Sequence, residues 1–322
     1  MTRKPQKNKN RLRRAKSEIR ISGVAITNPD KVMWPASNGH RAITKLDLAH
    51  YYAQVAPRLL PHIAGRPISI IRAPDGIGGE KFFQRHAFAT ANAIKVKGQA
   101  GLFLTVSTLK GLIALAQAAT LEIHPWGTHR GDPDTPERIV FDLDPAPNLD
   151  FSRVIEAAKA LRVKLSALGF KPFVKTTGGK GLHVVVAIRA DASGIPTWSD
   201  ARGFAKAVCR AMQTEEPSRY TANPLKRARK GKVFLDYLRN SKTASAVAPW
   251  SPRAKVGAPI AVPLAWNHLR AGLDPKRFTI HSIALLLSRD DPWSGLAASA
   301  YSLHIAQRNL QKLGITARKQ KR

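Results

Sequence analysis

Arg138–Pro145 reads RIVFDLDP, and its two carboxylates, Asp142 and Asp144, are spaced to share one face of an extended strand. Ile139, Phe141 and Leu143 then point the other way, toward a core. Two like charges side by side are tolerated most easily with a cation between them, and oxygen-only ligands suit Mg²⁺ or Mn²⁺. A third carboxylate, Asp236, lies in KVFLDYLRN, an apolar run in which an unpaired acid is costly. If the two strands are neighbours, the three acids could hold two cations about 3.5–4 Å apart, one activating an attacking hydroxyl and the other holding a triphosphate. The plainer alternatives are a solvent-facing strand end for Asp142 and Asp144, and an ion pair with Arg239 for Asp236.

A second group of chemically capable residues lies in Lys175–Val186, KTTGGKGLHVVV. Gly178, Gly179 and Gly181 allow backbone angles closed to other residues and leave main-chain N–H groups open to a phosphate. Thr176, Thr177 and Lys180 add hydroxyl and ammonium donors, and His183 opens the next strand. The turn is not a P-loop, because G-x-x-x-x-G-K-[ST] is absent and a strand follows it. Taken alone, the segment also reads as a plain hairpin and His183 as a core histidine. An anion cradle beside metal-binding acids is the chemistry of nucleotidyl transfer.

These residues need a scaffold, and the periodicity supplies an α+β one. Lys45–Leu60 reads as a helix with Thr44 as N-cap, Thr108–Ala119 as a helix following Ser107, and Trp198–Gln213 as another. Val154, Ala158, Leu161, Leu165 and Leu168 form a helical stripe stopped by Gly169. Strands fit Pro67–Arg72, Leu121–Trp126, Arg138–Asp144, Phe173–Thr176, Leu182–Ile188 and Lys232–Leu238, with the fourth and fifth paired around the glycine turn. No internal repeat or low-complexity linker divides the chain.

The charge balance names the kind of partner. The 322 residues include 53 Lys or Arg against 21 Asp or Glu, a formal net charge of +32. Residues 1–20 and 308–322 are basic tails, which alone signify only solvated, disordered arms. The segment between them also carries a large basic excess, including Lys226, Arg227, Arg229, Lys230 and Lys232 beside a strand. A polyanion, nucleic acid first, is the expected partner. No apolar run is long enough for a membrane span and no signal-peptide pattern opens the chain, so a cytoplasmic, nucleoid-associated protein is expected. The lone Cys209 excludes an intrachain disulfide framework and a cysteine zinc ribbon.

Eight segments in order carry a family resemblance: TNPDKVMWP (27–35), GRPISIIRAPDG (65–76), FFQRH (82–86), EIHPWG (122–127), FDLDP (141–145), TTGGKGLHV (176–184), FLDYLRN (234–240) and SPRA (251–254). From about Ile21 to Gly272 the chain resembles the polymerase domain of bacterial DNA ligase D, in the archaeo-eukaryotic primase superfamily. The resemblance implies a primase-polymerase catalytic core with an RRM-like element over 21–272, leaving 273–307 as a C-terminal helical extension. It implies that Asp142, Asp144 and Asp236 bind metal. It implies that Thr177, Lys180, His183 and Arg253 meet the incoming nucleotide, largely its triphosphate, with His124 also in that site. Phe82 and Phe83 would face the template, and Lys31 and Lys45 a 5′-phosphate at a DNA gap or break.

The implied activity is a DNA-directed nucleotidyltransferase that fills or extends ends, gaps or primer-templates in non-homologous end joining, favouring ribonucleotides. Its substrates would be NTP or dNTP, its cofactors Mg²⁺ or Mn²⁺, and its partners Ku and a separate ligase. The nearest string to a ligase K-x-D-G is RAPDG (72–76), which lacks the lysine, and no length is spare for a phosphoesterase module. Thr177 departs from the family's usual Ser, Pro35–Thr44 is longer than the family pattern, and Ser241–Ser245 departs from its wording. Two other classes compete. A catalytically idle DNA-end-binding module has no use for three aligned acids, and a D-x-D glycosyltransferase needs neither the third acid nor the charge.

Overall fold

A computed structural model describes residues 19–88, 93–96 and 98–314; most of both basic tails lies outside the described residues. Strand β1 (Val32–Trp34) turns back to β2 (Ile43–Thr44) through a tight hairpin tip, where Ser37 and His40 exchange backbone hydrogen bonds. Asn38 and Gly39 fill its two central positions with φ of 52° and 77°, the positive values that a type I′ turn requires. The stretch after Pro35 therefore closes as a compact tip. Helix α1 (Lys45–Ile63) starts at Thr44, whose side chain accepts from the Asp47 N–H while Asp47 accepts from Thr44 N–H, a reciprocal cap. Its buried face carries Leu48, Tyr52, Val55 and Leu59.

Strand β3 (Ile68–Arg72) lies between β4 (Phe82–Gln84) and β5 (Thr120–Pro125) in a small antiparallel sheet, with α2 (Leu109–Gln117) entering β5. Thr108 rather than Ser107 sits at the helix cap position; it accepts from Gly111 N–H, while the Ser107 hydroxyl accepts from Gly65 N–H.

The larger sheet begins with β6 (Arg138–Pro145), α3 (Phe151–Ala167), β7 (Phe173–Thr176), β8 (Leu182–Arg189), α4 (Trp198–Glu215), β9 (Tyr220–Thr221), β10 (Val233–Asp236) and β11 (Pro263–Leu264). Its order is β9-β10-β6-β8-β7-β11, antiparallel except between β9 and β10. Reduced to β6-α3-β7-β8-α4-β10, the connection is βαββαβ with the first and third strands central, the RRM-like element expected from the sequence. Helices α3 and α4 cover one face, where Ile139, Phe141 and Leu143 join the main core with Leu161, Leu165, Phe204 and Val208. Gly169 ends α3 with φ of 100°; a Cβ there would lie 2.6 Å from the Tyr301 ring, so turn and packing both demand glycine.

Residues 273–307 are woven into this sheet. They contain 3₁₀ turns, the short helix α5 (Ile283–Leu287) and β12 (Tyr301–Ser302), which pairs parallel with β8 before α6 (Leu303–Lys312). Trp293 from this segment donates its indole N–H to Val174 carbonyl at 2.9 Å. It packs with Val140, Phe173 and Val185 on the face opposite α3 and α4. No helix among the described residues is long and apolar enough to cross a membrane.

Candidate active site

The face of the large sheet turned away from α3 and α4 carries a row of ionisable residues. Asp142 of β6 lies directly across from Asp236 of β10 on one side and His183 of β8 on the other. His183 in turn lies across from Lys175 of β7. Asp236, Asp142, His183 and Lys175 therefore cross four adjacent strands at one level, with Asp144 two residues along on the Asp142 face. The adjacency of β6 and β10, which the sequence left open, is present.

The ion pair weighed for Asp236 is present too, and it is shared. Arg239 Nε lies 3.6 Å from Asp236 Oδ2 and 3.2 Å from Asp142 Oδ2. His183 Nε2 is 3.3 Å from Asp142 Oδ1, but without hydrogen-bond alignment, so that buried oxygen has no hydrogen-bond partner among the described residues. Burial works against the Asp142 carboxylate, yet His183, Arg239 and Lys175 outweigh it and hold its pKa down to about 2. Burial and then the Asp142 charge push Asp144 up to about 6. Burial, with Asp142 beside it, raises Asp236 as well. Burial and then Lys175 lower His183 to about 4, so the imidazole is neutral at pH 7.

Among the described residues no three His, Cys, Asp or Glu side chains are gathered tightly enough to ligate one ion. The donor set nevertheless fits divalent cations. It offers oxygens only, one buried carboxylate oxygen without a partner among the described residues, and two carboxyls whose charge is penalised by burial and by the neighbouring Asp142. Arg239 adds its positive charge to that of Lys175 on this face.

The glycine turn closes directly against these acids. A Cβ on Gly181 would lie 2.6 Å from Leu143 carbonyl and 3.1 Å from Asp144 Oδ1, so only glycine lets the turn approach the D-x-D strand. Gly178 has φ of 65°, and a Cβ there would lie 2.5 Å from Arg253 Cγ. Thr177 donates its hydroxyl to Gly181 carbonyl at 3.2 Å, and Arg253 Nη1 donates to Thr177 carbonyl. Lys180 is exposed at the tip of the turn.

Glu122 of β5 joins the small sheet to this site. Its carboxylate accepts from Arg253 Nε, from Ala254 N–H and from His124 Nε2, each at 2.8 Å. Burial opposes its charge, but His124 and Arg253 hold its pKa at about 2. His124 and Arg253 are thus brought together by one buried carboxylate.

Sequence reasoning passed over Glu122, Lys175 and Lys255. Glu122 lies within the quoted EIHPWG and carried a signal: an acid inside an apolar strand. Lys175 shares its face of β7 with Phe173 and is buried; burial, with Arg253 adding to it, lowers its pKa well below the usual lysine value. Lys255 Nζ would lie 3.0 Å from a Cβ on Gly179, so this lysine overhangs the turn.

The residues expected to meet DNA lie on other elements. Lys45 N–H donates to Lys31 carbonyl at 2.8 Å, so the compact tip leaves the two lysines adjacent at the root of the β1–β2 hairpin. Lys45 Nζ donates to Thr27 carbonyl at 3.0 Å, and Lys31 Nζ pairs with Asp75 at 2.6 Å. Burial, with Lys31 beside it, lowers the Lys45 pKa. Phe82 and Phe83, at 44% and 58% exposure, stand out from β4 with no place in the core, and Arg85 lies over the Phe83 ring.

Known proteins resemble this chain over most of its length. The multifunctional non-homologous end joining protein LigD of Pseudomonas aeruginosa is 33% identical over 305 residues, 91% of this chain and 35% of that protein. The bifunctional non-homologous end joining protein LigD of Bacillus subtilis is 27% identical over 260 residues, 80% of this chain and 41% of that protein. The chain thus spans little more than a third of the curated relatives it matches. The polymerase domain of Mycobacterium tuberculosis ligase D, solved in complex with DNA, superposes with a TM-score of 0.78 at 31% identity, covering 86% of this chain and 99% of that one. A family model for the LigD primase-polymerase domain matches residues 44–293, and the chain belongs to that family.

Proposed function

We propose that this chain is a DNA-directed nucleotidyltransferase that fills gaps and extends ends during non-homologous end joining, adding ribonucleotides in preference to deoxyribonucleotides. The observation that carries the reading is the row Asp236–Asp142–His183–Lys175 across four strands, with the glycine turn closed against Asp144. Asp142, Asp144 and Asp236 would hold Mg²⁺ or Mn²⁺. Divalent cations bound there supply Lewis-acid stabilisation to the attacking 3′-oxygen and the departing pyrophosphate.

The remaining work falls to side chains. Arg253, fixed by Glu122, and the neighbouring Lys255 and Lys180 present positive charge to a triphosphate at the turn, while Gly178 and Gly181 let the turn close against Arg253 and Asp144. His183 enters the site neutral, as a hydrogen-bond donor rather than a second cation. His124, on the same carboxylate as Arg253, is positioned toward the same nucleotide. Glu122 and Lys175 are positioning residues. Phe82 and Phe83 offer stacking faces to an unpaired template base, and Lys31 and Lys45 neutralise a 5′-phosphate at the far side of a gap. Ku and a ligase are the proposed partners.

The alternative of an idle DNA-binding module is separated by one experiment. Labelled NTP or dNTP is supplied with a gapped primer-template, with Mg²⁺, with Mn²⁺ and with neither, to wild type and Asp142→Asn. Extension by wild type that needs a divalent cation and falls at least about 10²-fold in the variant, with gapped-DNA affinity retained, is expected. DNA binding without extension in wild type would establish the idle module.

A further inference from the structure

A cavity of about 280 Å³ lies between the tip of the β1–β2 hairpin and the segment leading into α5, away from the aspartates. It is lined by Ser37 and His40 from the tip, and by Lys276, Arg277, Thr279 and His281 from the segment. The two imidazoles stack, with ring centroids 4.6 Å apart and planes 13° from parallel. Asp274 also borders the cavity, but its carboxylate accepts from Lys276 N–H as the cap of a 3₁₀ turn. Among the described residues neither the Lys276 nor the Arg277 side chain meets a carboxylate within ion-pair distance. The nearby acid Asp47 is engaged by Arg41 at 2.8 Å. Two cations, two imidazoles and three hydroxyls, of which that of Ser282 is donated to the Thr279 carbonyl, thus border one space whose single acid is turned to the backbone.

This set matches a tetrahedral oxyanion: point charges for its net charge, a guanidinium fork for two of its oxygens, hydroxyl and imidazole donors for the rest. Burial, and then His40 and Arg41, lower the His281 pKa by more than Asp47 raises it. We propose that this pocket binds a phosphate group, either a backbone phosphodiester of a DNA strand or a free phosphate. The first source rests on the DNA-end reading above; the second does not. Ser37 is six residues from Lys31 along the hairpin, so the pocket lies at most about 20 Å from the root where a 5′-phosphate is proposed to sit. That is within reach of a few nucleotides of the same strand. The pocket owes its near wall to the hairpin tip after Pro35, whereas its charges come from the 274–282 segment.

The test follows the imidazole resonances of His40 and His281 in the full chain, assigned with His40→Gln and His281→Gln. Inorganic phosphate is expected to move both resonances together and saturably, and Lys276→Ala/Arg277→Ala, both exposed, to abolish the movement. Gapped duplex is then added, and its affinity is measured against salt. For a phosphodiester, duplex moves the same two resonances, competes with inorganic phosphate, and the double variant makes the slope of log K against log salt shallower by about one. For a free phosphate, duplex binds without moving either resonance and the slope is unchanged. Absence of any concerted movement with phosphate or duplex, or movement that survives the double variant, overturns the proposal. Failure of the DNA-end reading is visible separately, as wild type that does not bind the duplex.

Discussion

The surface proposed to face the nucleotide and the surface proposed to face DNA are built on opposite physical principles. Asp142, His183, Lys175 and Glu122 are buried, and each is fixed by its strand and its charged neighbours. Phe82, Phe83 and Lys31 are reachable by solvent on short strands and turns, their positions set by backbone pairing and little else. A buried ionic network reorganises little when charge develops, and its electrostatics act at low dielectric. An exposed patch gains less per contact but adapts to different DNA ends. Variants of the buried face should therefore alter turnover and nucleotide use, and those of the exposed face should alter which DNA is chosen.

The sharpest break in that contrast is Glu122→Gln, which leaves Arg253 and His124 without their shared charge. Nucleotide KM is expected to rise at least tenfold while gapped-DNA affinity changes less than twofold, about 1.4 kcal/mol against noise. Equal losses of both would make Glu122 a support of the whole fold. Next comes Lys31→Ala/Lys45→Ala. One lost charge-assisted contact of roughly 1.5 kcal/mol is about tenfold, and it should appear as lost preference for a phosphorylated over an unphosphorylated gap, with nucleotide KM unchanged. Phe83→Ala should weaken binding of an unpaired template by about 1–3 kcal/mol. Its melting temperature should match wild type, since the ring lies outside the core. Fluorescence anisotropy with blunt and overhanging duplexes reads this directly.

The smallest expected effect is on stability. Asp144 has its pKa raised to about 6, so the folded state binds a proton that the unfolded chain has released. The sign follows: its contribution is fully favourable below the unfolded carboxylate value near 4 and is lost as pH rises through about 6. Asp144→Asn should therefore stabilise the cation-free protein above pH 6, by about 2 °C per kcal/mol relieved. The gain should vanish near pH 4 and shrink when Mn²⁺ is added to wild type. A gain independent of pH would assign the effect to packing.

Much of this was legible in the chain because the signals are local. The reciprocal cap at Thr44 and Asp47, the stripe of α3 and the alternation of β6 lie within a few residues each. The D-x-D pair and the glycine turn were readable for the same reason. The pairing of β6 with β10 was not, because five elements, α3, β7, β8, α4 and β9, separate Asp142 from Asp236, and no local pattern encodes their order. Lys175 escaped notice because a lysine is ordinarily solvated, and its burial depends on Trp293 and the loop before Trp250 covering that face of the sheet. Arg239 was expected beside Asp236, but its reach to Asp142 required the neighbouring strand.

Alternation along β6 also divides that strand into two independent inheritances. Ile139, Phe141 and Leu143 answer to the helices behind, while Arg138, Val140, Asp142 and Asp144 answer to the chemistry in front. Each set can drift by substitution without disturbing the other, and neither can tolerate a change in length. One residue inserted or deleted ahead of Asp142 would turn Phe141 and Leu143 outward and drive two carboxylates into the helix-facing core. A point change on this strand is therefore confined to one face, whereas an insertion or deletion turns both, the reverse of the hairpin tip, where the chain folds back on itself and leaves Lys31 and Lys45 side by side.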